Sequence, residues 1–354
     1  MNINGKEWLS DVHRTKEEKN TRFDKLRLDK NEWISEFPNE IMEVIKNKLR
    51  VEHILAYPET YALYSKIAEH HHLTSENIVI TTGIDGGIRN CFDLFVNQNS
   101  KVVTVDPTFA MVEIYCQLYN AQQIKIKYNS KLELDVENLL TKIESDVSLL
   151  IIANPNSPTG TIIPREVIQL ILKRAKANSV PVLIDEAYYG FYPETTVDLV
   201  SQFPNLIVAR TFSKAFGMAG CRVGYLVSNQ TVAQNLLKFR SMYEVNSFAL
   251  LIAETMLENH HFVQEYCDKV SRTKKILVNL AINNEIPVVN THTNFLHFDF
   301  GKNKQNVIKN LESSEILVKG GIKVQGYENY LRVSIGPLNA FSKVIEVMNK
   351  YGKT

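Results

Sequence analysis

Seven short runs rich in β-branched residues, separated by stretches of helical periodicity, constrain the fold of this chain more than any other feature. The runs lie between residues 77 and 228 and read NIVITTG, KVVTVD, QQIKIKY, SLLIIANP, PVLIDEAY, LIVARTF and RVGYLVS. Between them, stretches such as DGGIRNCFDLFV and PREVIQLILKRAKANS carry apolar residues at i, i+3 and i+4, as amphipathic helices do. This alternation predicts an α/β fold with a mixed, mostly parallel seven-stranded sheet covered by helices.

Two further regions flank this α/β core. Residues 1–27 are charged and weakly periodic, which predicts an extended N-terminal arm. Residues 230–284 contain no Pro or Gly and predict long helices. These helices would lead to a smaller α+β unit containing IPVV, NFLHFDF, ILVKGG and YLRVSIG. We therefore expect an arm at 1–27, a large domain at 28–245 and a small C-terminal domain at 246–354.

Composition excludes several classes of function. The formal net charge of the 354 residues is +1, and no dense basic block is present beyond the polar N-terminus, so we expect no nucleic-acid partner. The first residues are too polar for a signal peptide and runs such as VSLLIIA are too short to span a membrane, which predicts a cytoplasmic protein. The cysteines are too scattered for a metal site or a disulfide framework, so we expect neither; they are Cys91, Cys116, Cys221 and Cys267.

Polar clusters recur where the predicted strands end. They read TTGIDGG, DPTF, NPNSPTG, DEAY and TFSK. Any one of them alone is explained by turn chemistry or a helix cap. Because ligands of open α/β sheets bind at the carboxyl ends of strands, five such clusters together predict a binding site there.

The residue types in these clusters suit a phosphorylated carbonyl cofactor. Asp185 ends a buried strand, where a carboxylate needs a cation or a donor as partner. Lys214 follows another strand, and a partly desolvated lysine can attack a carbonyl carbon. Thr211, Ser213 and Arg222 surround that lysine with groups that bind phosphate, and TTGIDGG offers a helix N-terminus for the same purpose. A phosphate, a carbonyl and a cationic ring nitrogen describe pyridoxal phosphate.

The ordered motifs resemble those of a known enzyme family. LDKNE, AYPE, TTGIDGG, DPTFAM, NPNSPTG, DEAY, TFSKAFGMAGCRVGY and LRVSIG are similar to motifs of the fold type I, pyridoxal-phosphate-dependent class I/II aminotransferases, above all the histidinol-phosphate aminotransferases. The similarity covers about residues 28 to 340. The resemblance implies a large domain built on the seven-stranded sheet, a small C-terminal α+β domain, and a homodimer with shared active sites.

The resemblance also implies roles for the matching residues. Lys214 would bond covalently to the cofactor and later move a proton between the substrate Cα and the cofactor C4′. Asp185 would pair with the protonated ring nitrogen, where the family's chemistry needs an electron-withdrawing ring. Tyr188 would hydrogen-bond the ring O3′ and Phe109, where the family often has tyrosine, would stack on the ring. Arg332 would bind the substrate α-carboxylate and so orient the Cα–H bond. The phosphate would be held by the backbone of Ile84 and Asp85, by Thr211, Ser213 and Arg222, and by Tyr57 of the second subunit.

The sequence departs from the family pattern mainly at substrate-facing positions. Ser157 stands where the family has the asparagine that bonds O3′, so we assign that contact to Asn156. The Asn-Glu-Asn-Pro stretch of the family is here Asn31-Glu32-Trp33-Ile34, and Asn31 is kept as a candidate substrate contact. The N-terminal tyrosine motif of histidinol-phosphate enzymes has no counterpart in DVHRTKEEKNTRF.

Two more departures affect the expected substrate pocket. Lys319 in ILVKGG stands where the family has a phosphate-binding arginine, and a lysine meets a phosphate with less geometric definition. The stretch after the predicted helix reads Met242-Tyr243-Glu244-Val245-Asn246 and keeps the family pattern only in part. We expect Tyr243 and Asn246 to line the pocket.

These observations predict a pyridoxal-phosphate-dependent aminotransferase that moves an amino group between an amino acid, glutamate in the first place, and a small anionic or phosphorylated keto compound. Histidinol phosphate is one candidate substrate. Two alternatives stay open. One is a decarboxylase of a phosphorylated amino acid, which uses the same cofactor residues. The other is a non-catalytic binding protein of the same fold, against which the presence of Lys214, Asp185 and Arg222 argues.

Overall fold

A computed structural model describes residues 5–12 and 22–352 of the chain. Most of DVHRTKEEKNTRF, and with it much of the predicted arm, lies outside the described residues. The described strands are β1 (Leu26–Arg27), β2 (Ile78–Thr81), β3 (Lys101–Asp106), β4 (Gln122–Lys127), β5 (Val147–Ala153), β6 (Val182–Asp185), β7 (Leu206–Thr211), β8 (Gly224–Ser228), β9 (Val288–Val289), β10 (Phe295–Asp299), β11 (Ile316–Leu317), β12 (Lys319–Gly320) and β13 (Tyr330–Ser334).

The α-helices among these residues lie between and after the strands. They are α1 (Asn39–Lys48), α2 (Glu52–Leu55), α3 (Tyr61–His70), α4 (Gly83–Phe95), α5 (Ala110–Leu118), α6 (Val136–Thr141), α7 (Arg165–Ala177), α8 (Gln230–Leu237), α9 (Ser247–Glu258), α10 (His260–Asn283), α11 (Lys304–Glu312) and α12 (Ser342–Tyr351). The helical region predicted at 230–284 therefore consists of three helices. Not one of the helices in the described ranges has both the length and the apolar character needed to cross a membrane.

The seven predicted strand runs form one sheet in the order β2-β8-β7-β6-β5-β3-β4. The pairs from β7 to β4 are parallel, and β8 runs antiparallel to both of its neighbours. β6 and β8 are buried along their whole length, as expected for strands covered on both faces. The predicted mixed, mostly parallel sheet is confirmed. Its parallel strands end at one edge, where the polar clusters meet.

A smaller sheet carries the C-terminal motifs. Its order is β12-β13-β10-β9, with antiparallel pairing throughout. The register places Arg332 on β13 directly between His297 on β10 and Lys319 on β12. This pairing puts two cations side by side on neighbouring strands.

The packing differs from the predicted division of the chain at both boundaries. Leu28, Trp33 and Ile34, predicted in the large domain, pack in the core of the small sheet. β1 explains this, because it pairs with β11 in parallel and draws the following residues along the small sheet. At the other boundary, Ala249 and Ala253 of α9 pack in the core of the large sheet. The division itself stays a prediction.

The N-terminal residues that are described do not form the extended arm that we predicted. Glu7–Asp11 form a short 3-10 helix. The indole Nε1 of Trp8 donates to the carbonyl of Leu118 at 3.1 Å, which ties this segment to the end of α5. A hydrogen-bonded aromatic side chain explains why a charged, weakly periodic stretch is nonetheless packed.

All four cysteines are free thiols. Cys91 and Cys116 are buried, and Cys221 and Cys267 are partly buried. Burial raises the pKa of all four and brings the pKa of Cys116 and of Cys267 to about 12. The thiols therefore behave as small core residues.

Candidate active site

Three predicted cofactor residues meet at the edge of the large sheet. Asp185 is the last residue of β6, and Lys214 follows the neighbouring parallel strand β7. The Lys214 ammonium lies 5.9 Å from the ring centroid of Tyr188 and donates to the carbonyl of Lys30 at 2.9 Å. The positive charge of Lys214 acts on Asp185. The fold thus gathers a carboxylate, a lysine and a phenol from two strand ends.

The electrostatics of Asp185 fit a cationic partner. Its side chain is 5% exposed, and Oδ1 accepts a hydrogen bond from the backbone N–H of Ala187 at 2.9 Å. Burial raises the pKa of Asp185 to about 6, while that hydrogen bond and the charge of Lys214 oppose the rise. A protonated pyridine nitrogen at this carboxylate would compensate the desolvation, so this residue fits pyridoxal phosphate.

The predicted phosphate ligands after β7 form a connected group. Thr211 Oγ1 donates to Ser213 Oγ at 3.0 Å and accepts from the Ser213 backbone N–H at 3.1 Å. Arg222 Nη1 lies 3.4 Å from Ser213 Oγ. Arg222 itself has a left-handed backbone, φ 57°. Gly83 has φ 70°, a left-handed backbone that favours glycine, and a Cβ added there would lie 2.9 Å from Arg222 Nη2.

The N-terminus of α4 completes this cradle. Thr82 is the N-cap residue, and its side chain makes no capping hydrogen bond to the helix. Within the described part of the chain, the backbone N–H groups of Gly83, Ile84 and Asp85 have no acceptor. The Asp85 carboxylate is held aside by the Tyr115 hydroxyl, which donates to Oδ1 at 3.1 Å. Free N–H groups beside two hydroxyls and a guanidinium fit a phosphate.

Asn31 lies in the site but does not face an open pocket. Its side chain donates from Nδ2 to the Tyr188 hydroxyl at 2.7 Å and accepts at Oδ1 from Ser334 Oγ at 2.9 Å. Its backbone is left-handed, φ 57°, and the residue is 2% exposed. We predicted a substrate contact. The contacts instead make Asn31 the residue that orients Tyr188, because both ends of its amide are bound within the chain.

Asn156 is also bound within the chain. Its Nδ2 donates to the Pro107 carbonyl at 2.9 Å and to Thr159 Oγ1 at 2.8 Å, and its Oδ1 accepts from Thr108 at 3.1 Å. Both amide hydrogens therefore have acceptors already, and the contacts do not favour the predicted bond to the ring O3′. Asn156 joins the NPNSPTG loop to the DPTF turn, which carries Phe109 at the N-cap of α5.

Arg332 and Lys319 are paired on neighbouring strands of the small sheet, so their side chains lie on the same face of that sheet. Arg332 is 8% exposed and donates from Nη2 to the Asp29 carbonyl at 2.6 Å. Its Nε is buried and has no hydrogen-bond partner among the residues that the structure describes. Desolvation and the charges of Arg332, Lys30 and Lys214 lower the pKa of the exposed Lys319. A buried guanidinium with a free donor, next to a lysine, fits a carboxylate and a second anionic group.

Two residues that the sequence motifs did not single out support Arg332. Phe295 lies 5.4 Å beneath its guanidinium and contacts Tyr188 edge-on at 5.6 Å. His297 is fully buried, and its Nε2 lies 2.7 Å from the Pro158 carbonyl, which ties the small sheet to the NPNSPTG loop. Burial lowers the pKa of His297 to about 4, so the neutral ring donates. Phe and His on one face of the run NFLHFDF were the signal for both.

Three further predicted residues have their side chains engaged elsewhere in the single chain. Tyr57 and Tyr243 stack on each other with ring centroids 4.2 Å apart, and they are 75% and 47% exposed. Asn246 is the N-cap of α9 and accepts from the Ala249 N–H at 2.9 Å. Its side chain is explained by the cap and not by a pocket.

Residues 24–347 match the family model described as "Aminotransferase class I and II". A histidinol-phosphate aminotransferase of Caldanaerobacter subterraneus subsp. tengcongensis is 33% identical over 329 residues, which are 92% of this chain and 93% of that protein.

Solved structures show the same fold. The histidinol-phosphate aminotransferase of Sinorhizobium meliloti in complex with pyridoxal-5'-phosphate has a TM-score of 0.83 at 24% identity and covers 92% of this chain and 90% of that one. The L-threonine-O-3-phosphate decarboxylase of Porphyromonas gingivalis has a TM-score of 0.78 at 20% identity, covering 92% and 99%. At such identities these similarities show the fold alone.

The family model spans nearly the whole described chain and the curated relative exceeds 30% identity over most of it, so the resemblance seen in the motifs is confirmed. With it, the predicted fold type I architecture and the enzyme class are confirmed. This chain belongs to the class I and II aminotransferase family.

Proposed function

We propose that this aminotransferase moves an amino group between an amino acid and a small keto compound. Glutamate is the first candidate for the amino acid, and the keto compound would carry a phosphate or another second negative group. The observation that carries the proposal is the cross-strand pair of Arg332 and Lys319. One cation accounts for an α-carboxylate, and the other is then available for a second negative group. Histidinol phosphate, named in the relatives, is another candidate. It has no α-carboxylate, so both cations would be available to its phosphate.

The chain's own residues divide the work. Asp185 would hold the protonated ring nitrogen, and Thr211, Ser213, Arg222 and the first turn of α4 would hold the phosphate. The bound cofactor supplies a ring that draws electrons from the substrate α-carbon. Lys214 would hold the cofactor and, once the substrate amine has displaced it, would move the proton from Cα to the cofactor's C4′. Tyr188, fixed by Asn31, would hydrogen-bond the ring oxygen O3′.

Arg332 would select the bond that breaks. A guanidinium that binds the α-carboxylate fixes the rotation about the bond between Cα and the amino nitrogen. It would thereby direct the Cα–H bond perpendicular to the ring. Its position is restrained by the Asp29 carbonyl and by the face of Phe295. Proton loss is then favoured over loss of CO2.

A second copy of the chain is the proposed protein partner. Exposed apolar side chains cluster in two stretches that meet at the stack of Tyr57 and Tyr243; they are Val51, Ile54, Leu55, Tyr57, Tyr61, Phe239, Met242, Tyr243 and Phe248. A surface of this kind is typical of a protein interface. In a homodimer, Tyr57 would reach the cofactor phosphate of the partner subunit. A cytoplasmic location and the lack of a nucleic-acid partner remain predictions of the sequence.

A substrate screen scored by the cofactor spectrum tests this function. The purified protein is loaded with pyridoxal phosphate and mixed with amino acids, phosphorylated amines and histidinol phosphate in turn. Conversion to the pyridoxamine form supports amino transfer, and a preference for doubly anionic compounds supports the proposed substrate class. Release of CO2 without that conversion would favour the decarboxylase. A protein that never develops the absorbance of the lysine-bound cofactor would favour the non-catalytic alternative.

A further inference from the structure

A carboxylate from a distant part of the chain binds the residue that caps α4. Glu244 Oε1 accepts from the Thr82 backbone N–H at 2.8 Å and from the Thr82 hydroxyl at 3.1 Å. The two residues are 162 positions apart in the sequence. Glutamate often accepts the N-cap N–H from within its own helix, at the third helical position. Here that position is Asp85, whose carboxylate is bound to Tyr115, and Glu244 takes its place.

The Thr82 hydroxyl donates to Glu244 and does not cap the helix. A threonine at an N-cap ordinarily accepts a hydrogen bond from the second or third N–H of the first turn. Thr82 makes no such bond, and its Oγ1 lies over Gly86, where an added Cβ would be 2.4 Å away. The same Cβ would lie 3.4 Å from Glu244 Oε1. Gly86 thus leaves the space in which the hydroxyl meets the carboxylate.

Glu244 is itself held by a buried cation. Arg240 Nε lies 3.9 Å from Glu244 Oε2, and the side chains of both residues are 10% exposed. Arg240 Nη1 donates to the Tyr64 hydroxyl at 3.3 Å, while its Nε and Nη2 have no hydrogen-bond partner in the described part of the chain. The Arg240 guanidinium therefore has Glu244 as its nearby counter-charge. An ionised carboxylate only accepts hydrogen bonds, so it can hold both the N–H and the O–H of Thr82.

We propose that Glu244 is a positioning residue for the phosphate group of the cofactor. By holding the Thr82 hydroxyl beside Gly86, it leaves the N–H groups of Gly83, Ile84 and Asp85 free to bind the phosphate. The inference rests on the proposed function of this cradle. Glu244 adjoins Tyr243 in the stack with Tyr57, so the same short segment links the phosphate cradle to the exposed apolar surface.

Binding of two cofactor forms to the cofactor-free protein tests this role. Dissociation constants for pyridoxal phosphate and for pyridoxal, which lacks the phosphate, are measured from the absorbance of the lysine-bound form. In Glu244→Ala the Thr82 hydroxyl is free to cap α4, and we expect pyridoxal phosphate to bind roughly tenfold more weakly, with pyridoxal unchanged. Adding Thr82→Ala removes the competing hydroxyl and should restore binding. Glu244→Gln keeps an acceptor oxygen and should bind both forms like the unsubstituted chain.

Recovery in Glu244→Ala/Thr82→Ala separates positioning from a general loss of structure. Both variants leave Arg240 without its counter-charge, so structural damage from that cause would weaken binding in both. Equal binding of pyridoxal phosphate by Glu244→Ala would overturn the proposal. Tighter binding would overturn it as well and would show that charge repulsion by Glu244 dominates. Equal weakening of pyridoxal, a failed recovery, or a loss in Glu244→Gln as large as in Glu244→Ala would also overturn it. If the unsubstituted chain bound no pyridoxal phosphate, the proposed function would fail first, and this inference with it.

Discussion

The cofactor-facing and substrate-facing halves of the site are assembled from different parts of the molecule. Asp185 and Thr211 end two adjacent parallel strands and Lys214 follows the second of them, so one sheet fixes their spacing. Arg332 instead depends on the Asp29 carbonyl, 303 residues away, and Lys319 lies exposed on a two-residue strand. The first half is set by a rigid scaffold and the second by contacts between separate segments. Changes in the second half can therefore alter what is bound while the reaction stays the same.

The largest effect should follow from removing the lysine of the cofactor-facing half. Lys214→Ala removes both the attachment of the cofactor and the group that moves the proton, so we expect the rate of amino transfer to fall by about a thousandfold or more. The rate is followed as formation of the pyridoxamine form. Lys173→Ala, an exposed lysine on α7, is the matched control. A Lys214→Ala variant as fast as this control would break the comparison.

Asp185→Asn should slow the reaction by roughly a hundredfold, because the ring nitrogen loses its anionic partner. It should also change stability in the protein without cofactor. The folded pKa of about 6 lies above the ordinary value of 3.8, so ionising Asp185 destabilises the fold. This cost is absent below pH 4, grows as the pH rises, and is complete above pH 6, at on the order of 2 to 3 kcal/mol.

Urea unfolding of the cofactor-free protein at pH 4 and at pH 7 measures that difference. Asp185→Asn should be more stable than the unsubstituted chain at pH 7 and equal to it at pH 4. Equal stability at both values would mean that the carboxylate already has a sufficient partner within the chain.

In the substrate-facing half, Arg332→Lys should lower kcat/KM for amino donors that carry a carboxylate by about thirtyfold. A lysine keeps the charge but loses the forked pair of donors, and a charged hydrogen bond contributes on the order of 1.5 to 3 kcal/mol. Cofactor binding should stay unchanged, and its measurement is the control. A parallel loss of cofactor affinity would show that the two halves are not separable.

The smallest effect should come from Lys319, because it is exposed. Lys319→Ala should raise the KM for a phosphorylated substrate by about fivefold and leave an uncharged analogue unaffected. Since the pKa of Lys319 is lowered, its contribution should fade at alkaline pH earlier than that of an ordinary lysine. Lys319→Arg should keep its contribution there. An equal effect on both substrates would remove Lys319 from the pocket.

The same contrast decides what could be predicted from the sequence. Strand runs and strand-end residues are local features, so the seven strands, Asp185 and Lys214 could be read from periodicity and position. The insertion of β8 between β2 and β7 could not, because strand order depends on contacts between distant segments. Asn31 was placed in the site, but its bond to Tyr188 joins residues 157 positions apart and no local pattern encodes it. Glu244 was missed for the same reason, because its bond to Thr82 joins residues 162 positions apart. His297 differs, since it shares one face of the strand with Phe295 and that pattern is local.

The buried thiols have a consequence for how this enzyme would be damaged. A thiol whose pKa is raised carries little thiolate at neutral pH, and the thiolate is the form that oxidants attack. The four cysteines should therefore withstand oxidative stress. Lys214 should be more susceptible to chemical modification than the cysteines. A lysine placed to bond the carbonyl carbon of a cofactor can also bond unrelated aldehydes and ketones. We therefore expect reactive carbonyl compounds to inactivate this chain more readily than peroxides do.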